Sequence, residues 1–354
     1  MEGTMKAQRL NTETKEMRIE EVPIPQPGPN EVLIKVAYCG ICHSDISLIN
    51  GTFKMGYPPE ITQGHECSGE IVELGENVTA WEVGDKVIPS AGRSCGKCRQ
   101  CRRGNPAQCL NTELMAFQYD GAWAQYTLSG ASGLVRVPEG VPMDQAAILA
   151  DAVATPFGAV KRTGEVKLGN AVAVWGLGGV GTHIVQLAKL AGAVPVIGVD
   201  INDDVLERAK RLGADHVFRS DDPDLMDKIE EVTRGRMIDV AFDAVGIQPT
   251  MKQAIDSLDR GGRAVLVGLS DQELNAGNME HFGLQALQVH GHLGYKPVDI
   301  YLLTELVQAG RLDLSESVSK ILPLDDIEKG IEIMESKEGN PIRVLIDPWA
   351  DEDK

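Results

Sequence analysis

The stretch from 171 to 200, AVAVWGLGGVGTHIVQLAKLAGAVPVIGVD, constrains this chain more than any other. An apolar run at 171–175 has the length and composition of a buried parallel strand. Gly176, Gly178 and Gly181 follow at the first, third and sixth places of GLGGVG, with Gly179 and Val180 between them. The first glycine permits a sharp turn, the second lets backbone N–H groups approach a pyrophosphate, and the third allows close helix–strand packing. Ile184, Leu187, Ala188 and Ala191 recur at the spacing of one helical face. The N-terminus of that helix carries unpaired, partly positive N–H groups that suit a phosphate. A second strand at 196–199 ends on Asp200, nineteen residues beyond Gly181, where a carboxylate can accept hydrogen bonds from a ribose. Strand, turn, helix, strand and acid in this order predict a dinucleotide site. The residues after Asp200 are Ile201, Asn202, Asp203 and Asp204, with no cation for a 2′-phosphate, so NAD is expected over NADP.

A chain of 354 residues is long enough for about two domains, each with its own core. The formal charge of −18 argues against a nucleic-acid partner, which would need a basic surface. No stretch approaches the roughly twenty apolar residues of a membrane span. The opening MEGTMKAQRL lacks the apolar segment of a signal peptide, so a cytoplasmic protein is expected. The first third reads as β-rich, with strands expected near 32–36, 70–74, 86–89 and 122–127, punctuated by Pro and Gly. Beyond Asp200, apolar strands are expected at 215–218, 238–242, 264–267 and 287–290, separated by helices at 205–212 and 225–232. With the first two strands these make the six of a doubly wound domain.

Seven cysteines in such a setting read as metal ligands or core residues before disulfides. Cys95, Cys98, Cys101 and Cys109 fall within fifteen residues, on a lobe (92–110) rich in Gly and with Pro106. Four thiolates on a short loop close tetrahedrally around zinc and leave no open position, which makes the site structural. Lys97, Arg99, Arg102 and Arg103 would offset its negative charge. Cys42 and His65, in CGICHSD and GHE, are zinc-type donors too, although each also suits a small core cysteine or a satisfied histidine.

With GICHSD, GHE, the four-cysteine lobe, GLGGVG and PIRVLIDP in one order, the chain resembles the zinc-dependent alcohol dehydrogenases of the medium-chain dehydrogenase/reductase superfamily. The resemblance covers essentially the whole length. It implies an α/β fold: a GroES-like β-rich catalytic domain (1–155), a Rossmann doubly wound parallel sheet that binds NAD (156–292), and a C-terminal return to the catalytic domain (293–354). It also implies a catalytic zinc on Cys42 and His65, with Asp45 accepting from the His65 imidazole and Ser44 starting a proton relay. His43 would lie near the cofactor phosphates and Glu66 close to the metal. Where many relatives extend the relay with a histidine, this chain has Ser47. The third ligand is a cysteine in many relatives; here the matching segment is LADAVATP, which offers Asp151. Carboxylate for thiolate keeps the charge, and an aspartate there also suits a helix N-cap before 152–160; separately, a helix is expected to begin near Thr155 and to end before the strand at 171. Further cofactor contacts are implied for Thr155, Val245, Gly246 and Gly268. Arg343 matches an arginine placed on the pyrophosphate, or it is a solvent-facing residue of an edge strand.

These readings converge on a zinc- and NAD-dependent interconversion of an alcohol and a carbonyl compound, with two zinc ions per subunit. The partner is a small molecule, and a homodimer or homotetramer is implied by the resemblance. A polyol, cyclic or CoA-linked hydroxy substrate fits the same residues, and a non-catalytic nucleotide-binding relative is the alternative of another class.

Overall fold

The computed structural model describes residues 2–53 and 56–350. Contacts divide the chain into two units: 1–154 with 295–354, and 155–294. The chain therefore leaves the first unit one residue before the boundary expected from sequence and returns two residues after the expected one.

The first unit is built on antiparallel sheet. Glu31–Gly40 is its central strand, paired with Cys67–Leu74 on one side, and Tyr126–Gly130 also pairs with it. Apolar residues at Val32, Leu33, Ile34 and Val36 bury both faces of this strand. Near the chain's end Arg343–Asp347 joins the same sheet, antiparallel to Glu31–Gly40 through Leu345–Gly40 and Ile346–Cys39 and parallel to Val318–Pro323. A separate sheet pairs Thr4–Asn11 with Met17–Pro23 and Glu60–Ile61. The strand expected at 122–127 starts only at Tyr126. Backbone N–H groups of Gly121, Ala122 and Trp123 are instead spent on the carbonyls of Thr62, Gly64 and Gln63, a local pairing that no alternation reveals.

One correction concerns the helix expected to begin near Thr155. Helical structure begins at Met143 and continues through π turns at Leu149–Val153 and Ala159–Thr163, with Ala154–Gly158 between them. Pro156 lies just after the first wide turn, where a missing N–H and a bulky ring are easier to accommodate than in a regular helix. Asp151 is thus inside a π turn, and the N-cap reading of this residue does not hold.

The second unit is a six-stranded, wholly parallel sheet. Taken in chain order its strands are Val172–Trp175, Val196–Asp200, His216–Arg219, Ile238–Asp243, Leu258–Leu266 and Gln288–Gly291. Their spatial order is third, second, first, fourth, fifth, sixth, which places the reversal between Val172–Trp175 and Ile238–Asp243. That order is the one used by doubly wound dinucleotide domains, and ligands bind where it reverses. The strand Val172–Trp175 is buried at every position, as its apolar run requires. No helix among the described residues is long and apolar enough to cross a membrane.

Candidate metal centres and dinucleotide turn

The first centre forms where a helix start meets a loop. Cys42 is the N-cap of the helix His43–Ile49, and Asp45, three residues on, accepts from the Cys42 N–H through Oδ2 at 3.1 Å. Its other oxygen accepts from His65 Nδ1 at 3.1 Å and from Gly64 N at 3.3 Å. A fully buried carboxylate can only accept here, so Nδ1 carries the proton and Nε2 is left to face the pocket. Nε2 lies 3.6 Å from Asp151 Oδ2 and 3.4 Å from Ser44 Oγ, whose hydroxyl donates to Cys42 Sγ at 3.2 Å. One donor atom each from Cys42, His65 and Asp151 falls within 4.8 Å of the others. Thiolate, imidazole and carboxylate at such separations are a zinc donor set with room for a further oxygen.

Burial disfavours the Asp151 carboxylate, yet His65 and Arg343 more than offset it and hold its pKa well below the ordinary carboxylate value. Burial likewise opposes an imidazolium at His65, but Asp45 and Asp151 outweigh it and raise its pKa without metal. Glu66 shows the reverse balance: burial lifts its carboxyl to about 8, and Arg343 counters only part of that. Phe117 stands over His65 with ring centroids 5.6 Å apart, and Phe53 lies 6.4 Å from Phe117. Trp123 is a core residue, and Trp81 donates to Ala131 O. His43 is exposed on the same helix start, and Cys39 and Cys67 are fully buried core residues.

The burial of Arg343 overturns the solvent-facing reading of the sequence. It is 3% exposed, on a strand paired along both edges. Its guanidinium contacts Glu66, the Ile41 carbonyl and Asp151, so it belongs to the metal pocket. The available signal was an arginine inside IRVLI: a strand that apolar demands acids for its cation.

The second centre is the lobe. Cys98 Sγ is 3.6 Å from Cys101 Sγ and 3.9 Å from Cys109 Sγ. A disulfide needs about 2.05 Å. Tetrahedral zinc with Zn–S near 2.3 Å sets sulfurs about 3.8 Å apart, which these separations match. Backbone N–H groups of Cys95 and Asn111 donate to Cys109 Sγ. Those of Lys97 and Cys98 lower the Cys95 thiol to about 6, whereas burial and the neighbouring sulfurs push the Cys101 thiol up to about 12.

In the parallel-sheet unit, Gly176 has φ +81°, a left-handed turn that a side chain would strain. A Cβ on Gly181 would lie 1.7 Å from Gly176 O, so the helix Gly179–Leu190 sits against the turn only because residue 181 has no side chain. A Cβ on Gly178 would meet nothing within 4 Å, leaving open space before the helix N-terminus. Val245 packs onto Gly176, and Gly268 N and Gly246 N donate to the carbonyl and carboxylate of Asp243. Asp200 accepts from the N–H groups of Leu177, Ile201 and Asn202, which ties the acid to the glycine turn. The Thr155 carbonyl accepts from His292 Nε2.

A pocket that offers a metal one sulfur, one nitrogen and one oxygen, carried by a chain with a phosphate-ready turn, defines a zinc-binding oxidoreductase. Comparison with known proteins agrees. Residues 28–139 match the alcohol dehydrogenase GroES-like domain, and residues 179–309 match the zinc-binding dehydrogenase domain. The sorbitol dehydrogenase of Halalkalibacterium halodurans is 33% identical over 93% of this chain and 95% of its own. An L-threonine 3-dehydrogenase of Caldanaerobacter subterraneus is 33% identical over 94% and 96%. Among solved structures, the alcohol dehydrogenase of Aeropyrum pernix superposes with a TM-score of 0.87 at 32% identity, covering 97% of this chain and 100% of that one. The chain belongs to the zinc-dependent alcohol dehydrogenase family, and it interconverts an alcohol with an aldehyde or ketone.

Proposed function

We propose that this protein is an NAD-dependent alcohol dehydrogenase with a catalytic zinc on Cys42, His65 and Asp151 and a structural zinc on Cys95, Cys98, Cys101 and Cys109. The observation that carries the reading is the convergence of Cys42 Sγ, His65 Nε2 and an Asp151 oxygen within 4.8 Å. Zinc there supplies positive charge next to the substrate oxygen, which makes its hydroxyl proton easier to lose. NAD supplies the acceptor for the hydride leaving the adjacent carbon.

The chain's own groups do the rest. Asp45 fixes the His65 ring and its tautomer. Ser44, whose Oγ lies within 3.4 Å of both Cys42 Sγ and His65 Nε2, is placed to take the substrate proton and pass it on. With Ser47 where many relatives carry a histidine, the onward path runs through water or the cofactor ribose. Phe117 and Phe53 give the pocket an apolar wall that limits water. Backbone N–H groups around Gly178 hold the dinucleotide pyrophosphate, and Asp200 accepts from its ribose. Sorbitol and L-threonine, named by the relatives, each have a secondary hydroxyl next to a carbon bearing a second polar group, and this is the substrate class proposed here. The working form is a cytoplasmic homo-oligomer.

Replacing Asp151 with Ala tests the assignment. Metal content should fall from two zincs per chain to one, with the lobe retained, and turnover of secondary alcohols should drop by more than about 100-fold. Unchanged metal content and activity would remove Asp151 from the ligand set.

A further inference from the structure

Cys42, Asp45, Glu66 and Asp151 bring four acidic side chains into one largely buried pocket, and Arg343 stands among them. Its nitrogens divide the work. Nε lies 3.0 Å from Glu66 Oε2, and Nη1 donates to the Ile41 carbonyl at 3.3 Å. Nη2 is 3.5 Å from Asp151 Oδ2, the same oxygen that stands 3.6 Å from His65 Nε2. The oxygen facing the imidazole is therefore also the one the guanidinium faces. Glu66 closes the frame from behind, because its Oε1 accepts from the N–H of Ala152, the residue after Asp151, at 3.4 Å.

We propose that Arg343 is a positioning residue for the third metal ligand. Anchored on Glu66, it sets the orientation of Asp151 and makes a carboxylate acceptable where it stands close to the Cys42 sulfur. The proposal rests on Asp151 being a ligand, and it goes further by naming what lets an acid serve at that place. A planar guanidinium reaches Glu66, the Ile41 carbonyl and Asp151 at once, whereas an ammonium is a point charge that cannot span all three. Without the guanidinium, Asp151 Oδ2 loses the cation that it faces, and the side chain can turn away from His65. An arginine that merely packs against Glu66 would be indifferent to the residue at 151, and this difference makes the proposal testable.

The experiment compares Arg343→Met and Arg343→Lys in the parent chain and in the Asp151→Cys chain. Zinc affinity is read by chelator competition, with the zinc of the four-cysteine lobe as an internal reference, and thermal melting is recorded separately. With Asp151 present, Arg343→Met should weaken zinc about 10- to 100-fold, and Arg343→Lys should recover only part of that. With Cys at 151 the same changes should cost less than about threefold, since a single sulfur needs no partner to orient it. The visible spectrum of the cobalt-substituted protein should shift on Arg343→Met only in the Asp151 chain. Equal losses in the two backgrounds would overturn the proposal. If Arg343→Met does not fold, the Arg343→Lys pair decides by the same comparison. If Asp151→Ala leaves the pocket's zinc affinity untouched, the ligand assignment itself fails, whatever the arginine variants do.

Discussion

Alanine at Gly178 and alanine at Gly181 should damage the dinucleotide turn in different ways. At Gly181 the new Cβ would stand 1.7 Å from Gly176 O and 2.8 Å from Gly176 C. Ordinary contact begins near about 3.5 Å, so the helix start must retreat from the turn by roughly 1.5–2 Å. Overpacking of that kind costs about 1–3 kcal/mol, which for a unit of this size lowers the melting temperature by roughly 3–10 °C. At Gly178, φ is −72° and a Cβ meets nothing within 4 Å, so the fold should lose less than about 0.5 kcal/mol. The methyl nevertheless occupies the space a pyrophosphate enters. Losing one or two charge-assisted hydrogen bonds there, at about 1.5–3 kcal/mol each, lowers NADH affinity by about tenfold or more. Fluorescence titration with NADH and thermal melting, run on both variants, separate the two effects. A Gly178→Ala protein that binds NADH like the parent, or melts as early as Gly181→Ala, would refute this account of the turn.

Two further outcomes follow from the same geometry. Replacing Asp200 with Gly removes the negative charge facing a ribose, so the ratio of kcat/KM for NADP to that for NAD should rise by about tenfold or more; a constant ratio would take Asp200 out of the cofactor site. Burial opposes the His65 imidazolium, but Asp45 and Asp151 raise its pKa, and burial also raises the Cys42 thiol, so a metal must displace protons from the pocket. Zinc affinity should therefore weaken by at least about tenfold per unit as pH falls below neutrality, and a dissociation constant indifferent to pH would contradict this proton competition.

What the sequence revealed and what it hid have physical causes. Six parallel strands were legible chiefly as short apolar runs between turn residues; the fifth, expected at 264–267, instead spans Leu258–Leu266, because its polar first half, LDRGGR, carries no apolar signal. Asp45 lies two residues beyond His43 and twenty before His65, and spacing alone says nothing of such a contact; the family frame supplied it, and the hydrogen bond to Nδ1 matches. The helical run from Met143 was hidden by Pro156, normally a helix breaker, which here follows a π turn. The burial of Arg343 was hidden for a related reason. Charge on a strand usually signals solvent, and the acidic side chains that face it are 277 and 192 positions away in the chain, at Glu66 and Asp151.

The late position of that arginine also affects how the protein is made. Cys42, Asp45, Glu66 and Asp151 leave the ribosome first, and their cation follows Asp151 by 192 residues. At about 5–20 residues per second this interval is about 10–40 s. Through it the nascent pocket holds acids without their guanidinium, and the central strand Glu31–Gly40 lacks Arg343–Asp347 along its edge. Completion of this unit thus waits on a distant segment: its pocket gains its cation, and its central strand a neighbour, only once Arg343–Asp347 has been made.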